Sequence, residues 1–358
     1  MKECNRCLFT SDFSNVGEDQ CNYCDLHDTL ESQADPNNLM PMLLKVKKKG
    51  LGKKYDCIMG ISGGLDSSTL VYLAVKKWGL KPLVIHFDNG WNNEVAKQNM
   101  DNLITSLGVD SITYRMNQRE FDDLNKAFIM AMLPDADIPN DIAMTKLMYD
   151  TANKYGIKYI LNGHCFRTEG STPKDWTYMD AKYIQSVYKE MIGRELKSFP
   201  LFTFKDQLFY GFKGIKNVRP FHYMSIEERR AYEKEMIELC GWQSYGGKHC
   251  ENIYTEFVGS HYLPKYHKID KRIVYTSALI RSGNMTKEEG AEYMKSKSEF
   301  DMSKLGKHRK DIEYLLSNSR WMKREDFERY NFKKYRPFIW VLAKLNVVPY
   351  TFYVKYCK

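Results

Sequence analysis

Residues 55–68, YDCIMGISGGLDSS, constrain the fold of this chain more than any other stretch. Residues 55–61 are mostly apolar with no polar face, which is typical of a central strand covered on both sides. The next three residues, SGG, predict a turn whose glycines allow a ligand to approach the backbone. The apolar spacing after Asp66 predicts a helix beginning at this turn, and the N-terminus of that helix favours an anion such as phosphate.

The loop SGGLDSS differs from the commoner phosphate-binding loop because no lysine stands beside its hydroxyl residues. It resembles the SGGxDSS signature of the PP-loop ATP pyrophosphatases, which bind the pyrophosphate of ATP and transfer AMP to a carbonyl oxygen. The alternative is an ordinary strand-to-helix turn rich in Gly and Ser. On the resemblance, the expected ATP-binding residues of this region are Gly60, Ser62, Gly63, Gly64, Asp66, Ser67 and Ser68.

Strands and helices alternate after this loop, which predicts an α/β fold with a doubly wound parallel sheet. The predicted strands are residues 55–61, 82–87, 112–114 and 159–161, and the predicted helices between them are residues 94–107, 122–133 and 141–155. In such sheets ligands bind beyond the carboxyl ends of the strands. We therefore expect the loops 62–68, 87–91 and 162–170 to face one cleft.

The last of these loops, NGHCFRTEG, is dense in polar residues. His164 suits contact with an α-phosphate or proton transfer, although a satisfied loop histidine is the alternative. Arg167 suits a phosphate or a substrate carboxylate. Glu169 and Asp66 together suit a Mg²⁺ ion that keeps several of its waters.

A second glycine-rich segment, GGKHCENIYTEF, supplies the side-chain cation that the first loop lacks. Lys248 follows two glycines directly, and Lys271 closes the same region. A departing pyrophosphate needs such cations. Ordinary surface lysine is the alternative for each one taken singly.

The N-terminus carries two C-x2-C pairs separated by thirteen residues. Each pair places two thiolates on one tight knuckle, and two knuckles complete a tetrahedron suited to structural Zn²⁺. Two disulfides or an iron–sulfur cluster are the alternatives. The expected ligands are Cys4, Cys7, Cys21 and Cys24.

Length and composition predict a multi-domain globular protein. The 358 residues are 43% hydrophobic and 28% charged, and no apolar run reaches the ~20 residues of a membrane span. Because the N-terminus is unlike a signal peptide, we expect a cytoplasmic protein. Residues 301–358 contain 14 Lys or Arg against 6 Asp or Glu. This excess of positive charge indicates either a docking surface or a solvated helical face. The expected regions are a zinc module (1–30), a linker and helix (31–54), an ATP-binding α/β domain (55–224), a mainly helical second part of the site (225–300) and a basic helical tail (301–358).

Together the cysteine pairs, SGGLDSS, FDNGW, NGHCFRTEG and GGKHCENIYTEF resemble the N-acetyl sugar amidotransferases, a PP-loop family of bacterial surface-polysaccharide biosynthesis. Members convert an acetamido group of a sugar to an acetamidino group, using ATP and ammonia from a separate glutaminase. The resemblance implies an adenine nucleotide alpha hydrolase-like fold, with Phe87 and Asp88 beside the nucleoside. It also implies nucleotide contacts from Gly163 and Arg272, and a reaction site lined by His164, Arg167, Glu169, Lys248, His249 and Lys271.

The implied reaction begins when the amide oxygen attacks the α-phosphate of ATP. This step would give an O-adenylated imidate and pyrophosphate, with Mg²⁺ and the two lysines stabilising the departing charge. Ammonia then adds and AMP leaves. The expected partners are a glutaminase and a nucleotide-linked N-acetylated sugar, and no nucleic acid is expected.

Two other functions remain open at this point. A PP-loop transfer-RNA thiolase would use a cysteine pair in the cleft, for which Cys165 and Cys250 are candidates. A zinc-ribbon nucleic-acid-binding protein without enzymatic activity would also suit the basic tail. ATP binding would distinguish the second possibility, because a simple binding module has no use for SGGLDSS.

Overall fold

The computed structural model describes residues 2–296, 299–345 and 347–357, with a five-stranded parallel sheet at its centre. Its strands are β1 (Cys57–Ile61), β2 (Pro82–Asp88), β3 (Asp110–Arg115), β4 (Tyr159–Leu161) and β5 (Lys216–Val218). Their order across the sheet is β3-β2-β1-β4-β5. The chain therefore reverses its direction of winding at β1, which is where ligands bind in such sheets. The predicted α/β fold with a parallel sheet is confirmed.

Helices surround the sheet and make up most of the C-terminal region. They are α1 (Asn22–Gln33), α2 (Leu39–Gly50), α3 (Leu65–Tyr72), α4 (Glu94–Leu107), α5 (Gln118–Met130), α6 (Ile138–Lys154), α7 (Phe166–Glu169), α8 (Ala181–Ile192), α9 (Phe204–Phe212), α10 (Ile226–Cys240), α11 (Ile253–Phe257), α12 (Arg272–Arg281), α13 (Lys287–Lys295), α14 (Arg309–Ser317), α15 (Arg336–Lys344) and α16 (Tyr350–Cys357). Two π-helical segments, Leu73–Lys77 and Val258–His267, extend α3 and α11. Among the described residues no helix has the length and apolarity to cross a bilayer.

The predicted strands and helices between residues 55 and 161 all occur, and their ends differ by a few residues. The helix α4 has the expected bounds because Asn93 caps its start and Gly108 ends it in the left-handed conformation. The helix α5 begins four residues earlier than expected, since Asn117 accepts a hydrogen bond from the backbone N–H of Glu120. The strand β5 was not predicted, because it is three residues long and mostly exposed at the edge of the sheet.

Alternate residues of the central strand pack into different cores. Met59 and Ile61 join the core that contains the buried side chains of α3, α4 and α10. Ile58 points the other way, into the core that contains Met148 and Tyr149 of α6. This alternation explains why residues 57–61 carry no polar face: both faces of the strand are covered.

The basic tail is packed against the rest of the protein at several points. Arg324 forms two hydrogen bonds, of 2.6 and 2.8 Å, to the fully buried carboxylate of Asp135. The backbone N–H groups of Arg320 and Met322 donate to carbonyl oxygens at the C-terminal end of α5, those of Met130 and Ala131. Lys304 forms an ion pair of 2.6 Å with Glu256. The predicted helical C-terminal region is thus confirmed, and part of its positive charge is used in internal contacts.

Candidate active site

A cavity of about 790 Å³ opens at the carboxyl ends of β1, β2 and β4. The segment from Tyr245 to Ser260 and the start of α12 form the opposite wall. Eight of the predicted site residues line it, namely Ser62, Phe87, His164, Glu169, Lys248, His249, Lys271 and Arg272. The three strand-end loops and the second glycine-rich segment therefore meet at one cleft, as their positions in the sequence indicate.

The loop after β1 is held by close backbone packing. Gly63 has a φ of +77°, and a Cβ atom there would lie 2.1 Å from the carbonyl oxygen of Ala96. Its own carbonyl oxygen accepts a hydrogen bond of 2.9 Å from the indole Nε1 of Trp242 and one of 3.4 Å from Asn99. Only glycine fits this position without displacing the backbone.

The helix α3 begins directly after the glycine turn, and its N-terminus favours an anion. Gly64 precedes the helix, and no side chain caps it. The hydroxyl groups of Ser62 and Ser67 lie 3.3 Å apart beside the turn, and Ser67 also donates to the carbonyl oxygen of Gly64. Ser68, expected to bind ATP, is fully buried, so its side chain faces the interior of the protein.

Lys248 lies between the two carboxylates that were expected to share a metal ion. Its Nζ is 3.8 Å from Oδ2 of Asp66 and 3.9 Å from Oε1 of Glu169. Asp66 is also 3.0 Å from a guanidinium nitrogen of the buried Arg229, which also pairs with Glu233. Sequence reasoning missed Arg229, because it lies in an ordinary amphipathic helix far along the chain.

Glu169 is held as a carboxylate by its neighbours. Burial by itself would raise the pKa of Glu169, but the adjacent His164, together with Lys248 and His249, lowers it below its usual range. The Nδ1 atom of His164 makes a short hydrogen bond to Glu169. His249 has a φ of +63° and its ring lies 5.3 Å from that of Tyr275. These groups form a compact charged cluster on the cavity wall.

The structure places Arg167 differently from the expectation that it binds a phosphate or a substrate. Its guanidinium pairs with Glu31 of α1 and donates to the carbonyl oxygens of His222 and Met224. Arg167 is absent from the residues described as lining the cavity. In this structure it connects the N-terminal module to the loop after β4.

The remaining predicted nucleotide contacts lie behind the cavity surface. Gly60 lies in β1 near two methionine side chains, and Gly163 lies close to the backbone of Asp66. Asp88 is at the end of β2, where its carboxylate accepts hydrogen bonds from the N–H of Gly90 and from Asn92. These residues shape the loops, and they are absent from the described lining of the cavity.

The four N-terminal cysteines form a compact, buried cluster. Four of the six distances between their Sγ atoms are 3.6–3.8 Å, and all lie within 4.8 Å. A tetrahedron with zinc–sulfur bonds of about 2.3 Å has edges of about 3.8 Å. The distances suit a single tetrahedral ion and are too long for disulfides. A cubane, which places a separate iron atom at each thiolate, needs a wider spacing.

A cation from the second half of the chain contacts this cluster. The guanidinium of the buried Arg281, the last residue of α12, lies 3.2 Å from Sγ of Cys7 and 4.5 Å from the ring of Phe9. A metal with four thiolates carries a net negative charge, which Arg281 would offset. The cluster is therefore built against the helix whose other end lines the cavity.

Comparison with known proteins gives a family match for the C-terminal part of the chain, which contributes residues to the cavity wall. Residues 251–353 match the family model described as LPS biosynthesis protein WbpG-like, C-terminal domain. These residues form a WbpG-like C-terminal domain. An uncharacterized protein of Methanocaldococcus jannaschii is 28% identical over 123 residues, which are 34% of this chain and 42% of that protein. The match thus spans about two fifths of the length of that relative.

Comparison with solved structures gives matches that include two enzymes. The U34-tRNA thiolase NcsA from Methanococcus maripaludis, solved with its 4Fe-4S cluster, is 15% identical, with a TM-score of 0.35 over 80% of this chain and 89% of that chain. The NMN synthetase from Francisella tularensis is 15% identical, with a TM-score of 0.29 over 60% of this chain and 99% of that chain.

The WbpG-like domain completes a ring of hydrogen-bonded polar side chains in the cavity. Asn252 donates to Asn89 at 3.0 Å, and Asn89 donates to Asn140 at 2.7 Å. Asn140 donates to Asp137 at 2.8 Å, and Thr255 donates to Asp137 at 3.0 Å and to Asn252 at 3.4 Å. Sequence reasoning missed Asp137 and Asn140, although the acidic, proline-containing run DADIPND at the start of α6 was a possible signal.

Proposed function

We propose that this protein is an ATP-dependent amidotransferase of surface-polysaccharide biosynthesis. Its reaction converts the acetamido group of a nucleotide-linked sugar to an acetamidino group, with release of AMP and pyrophosphate. The observation that carries the proposal is the position of Lys248, a cavity-lining cation whose Nζ lies 3.8 Å from Asp66 in the first turn of α3, the helix that begins within SGGLDSS. The match to an LPS biosynthesis family supports a sugar substrate.

The chain offers separate groups for binding and for leaving-group stabilisation. The turn at Gly63 and Gly64 and the N-terminus of α3 suit phosphate oxygens. Lys248 suits the pyrophosphate that departs when the amide oxygen attacks the α-phosphate. The carboxylate oxygens of Asp66 and Glu169 suit Mg²⁺, which would neutralise phosphate charge when bound.

The size and polarity of the cavity fit a large polar substrate. Its volume of about 790 Å³ lies in the upper part of the range of about 300–1,000 Å³ for ligand sites. The ring that includes Asn89, Asn140 and Asn252 offers amide and carboxylate groups, which suit sugar hydroxyls and an acetamido group. We assign the supply of ammonia to a separate glutaminase and the reaction to the cytoplasm.

The test uses the purified protein with ATP, Mg²⁺, ammonium chloride and a panel of nucleotide-linked N-acetylated and di-N-acetylated sugars. Mass spectrometry should find a product about one mass unit lighter than its substrate. If the acetyl oxygen is labelled with ¹⁸O, the label should appear in AMP, because that oxygen attacks the α-phosphate. Formation of an amidine with unlabelled AMP would contradict the adenylated intermediate.

Failure of every sugar to give AMP would contradict the proposal and direct attention to transfer RNA. A thiolase would need Cys165 or Cys250. In this structure Cys165 is buried and its Sγ donates to the carbonyl oxygen of Phe221, whereas Cys250 lines the cavity. Replacing both by Ser should largely spare amidine formation, and complete loss would favour the thiolase.

A further inference from the structure

The last part of the chain carries an exposed apolar stripe on α15. Phe338 and Val341 belong to this helix and Leu345 follows it directly, and their spacing of three and four residues places them on one side. All three side chains are exposed, that of Leu345 by 66%. Ile339 and Leu342 lie on another side of α15, where they are buried in the core of the tail. Among the described residues, the helix is therefore apolar on two sides and covered on one.

Other exposed rings adjoin this stripe. Trp340 of α15 is nearly half exposed. The end of α9 lies against the segment that follows α15, because Gln207 donates a hydrogen bond of 3.2 Å to the carbonyl oxygen of Val347 and the backbone of Gly211 packs against the same oxygen. Phe212, the last residue of α9, is 71% exposed. We define the exposed apolar face as Phe212, Phe338, Trp340, Val341 and Leu345.

The charge around this face has one sign. Residues 331–358 contain six lysine or arginine residues and no aspartate or glutamate. Lys333 and Lys334 are exposed just before α15, and Lys344 is exposed at its end. The Nζ atom of Lys344 lies 5.6 Å from the centre of the Trp340 ring. Apolar side chains bordered by cations alone match a bilayer surface, where anionic headgroups lie above apolar acyl chains.

We propose that the exposed apolar face binds the surface of an anionic phospholipid bilayer. Its apolar side chains enter the boundary between headgroups and acyl chains, and the neighbouring lysines contact the lipid phosphates. The nine residues of α15 span only about 14 Å, so this helix lies on the bilayer and does not cross it. Lipid binding of this kind is independent of the reaction in the cavity, and none of its tests uses enzymatic activity.

Charge and composition favour lipid over the two other occupants of such a face. A second copy of the chain would bring the same lysines together, and like charges oppose each other across an interface. The centres of protein interfaces are depleted in lysine. Lys344, however, stands four residues after Trp340 and three after Val341, which places it among the apolar side chains of the face. Anionic headgroups turn this lysine into a favourable contact.

Co-sedimentation of the full chain with lipid vesicles tests the proposal. Vesicles of phosphatidylcholine with about 30% phosphatidylglycerol should bind the unmodified protein at least about tenfold more tightly than phosphatidylcholine alone, because cations meet anionic headgroups. Raising NaCl from about 0.1 M to about 0.5 M should weaken this binding, since salt screens the charges. Absence of binding to the anionic vesicles would overturn the proposal and assign the face to an acidic protein partner.

Substitutions on and away from the face locate the contact. The double variant Phe338→Glu/Leu345→Glu should bind anionic vesicles at least about tenfold more weakly, because it removes apolar contacts and adds negative charge. Leu239→Glu, at a half-exposed leucine of α10, is the matched control and should bind as the unmodified protein does. Lys48→Glu alters another exposed lysine cluster, at the end of α2, and should change binding by less than about twofold. Unchanged binding by the double variant, or an equal loss in Lys48→Glu, would overturn the assignment to this face.

Tryptophan fluorescence gives a measurement that does not depend on added charge. Bromine atoms on acyl chains quench indole rings that enter the bilayer. Anionic vesicles with brominated chains should quench the unmodified protein, and Trp340→Phe should lose most of this quenching while it still binds the vesicles. Quenching that persists in Trp340→Phe would place the contact at another of the six tryptophans and overturn the proposal.

Discussion

Trp242 donates a hydrogen bond of 2.9 Å from its indole Nε1 to the carbonyl oxygen of Gly63. The contact joins the ATP-binding loop predicted from the sequence to the segment that carries Lys248, although the two residues are 179 positions apart. It occupies the carbonyl of the turn, while the N–H of the next residue, Gly64, donates to Oγ of Ser62 at 3.3 Å. The two glycine-rich segments are thus parts of one site.

Substitution of Gly63 tests whether this loop needs a residue without a Cβ atom. Gly63→Ala should remove the ATP-dependent thermal shift and lower stability by more than the about 1–2 kcal/mol of a left-handed alanine, because its Cβ would overlap the carbonyl of Ala96. Gly52→Ala is the matched control, with a φ of +73° and open space around it. Equal losses in the two variants, measured by thermal denaturation with and without ATP, would show that packing at Gly63 is unimportant.

Replacement of Lys248 tests the cation of the second glycine-rich segment. Lys248→Met should reduce sugar-dependent AMP formation by about 100- to 1,000-fold, since the departing pyrophosphate loses a fixed positive charge. The fold should be retained, because this side chain is partly exposed in the cavity. Lys295→Met, a change at an exposed helical position, serves as the control. AMP formation near the unmodified rate would exclude Lys248 from leaving-group stabilisation.

The cysteine cluster predicts one tightly bound zinc ion for each chain. Cys7→Ser should lose the metal and melt at a lower temperature, because an ion with four thiolates stabilises the fold directly. Arg281→Met should lose zinc faster to a chelator than the unmodified protein, because the charge beside Cys7 is removed. Zinc content by mass spectrometry is the readout, with Cys250→Ser as a control that keeps the metal. Iron in the purified protein would contradict the assignment.

The pair Arg324–Asp135 predicts that the basic tail contributes to stability. Arg324→Ala should lower the free energy of unfolding by about 3–5 kcal/mol, since it leaves the carboxylate of Asp135 buried without its cation. Arg309→Ala, which breaks an exposed pair with Glu313, should cost at most about 1 kcal/mol. Urea denaturation measures both values. Similar small losses would mean that the tail is attached only loosely.

This contact also affects any test of the tail as a docking surface. Deleting residues from 320 onward would remove Arg324 and unpair Asp135, so loss of activity would report unfolding as readily as loss of a partner. Single substitutions at exposed apolar residues of the tail avoid this difficulty. Phe338 and Leu345, both more than half exposed, are suitable positions.

Much of the fold follows from local patterns. The strand–turn–helix at residues 57–72 lies where its apolar run and its glycines predict it, and α4 has the expected bounds. The two C-x2-C pairs converge because each knuckle is short: a backbone hydrogen bond from Cys4 to Phe9 closes the first knuckle, and the N–H of Cys21 donates to Sγ of Cys4. The strand β5 escaped prediction because an exposed edge strand of three residues has no apolar pattern.

The sequence by itself determined the loop, the cysteine cluster and the order of strands and helices, because steric limits on glycine turns, metal-ligand spacing and apolar periodicity act over a few residues. Only the tertiary structure decided that Arg167 supports the N-terminal module and that Arg229 holds Asp66. These contacts join segments more than 100 residues apart. They depend on how whole helices pack, which no local pattern records.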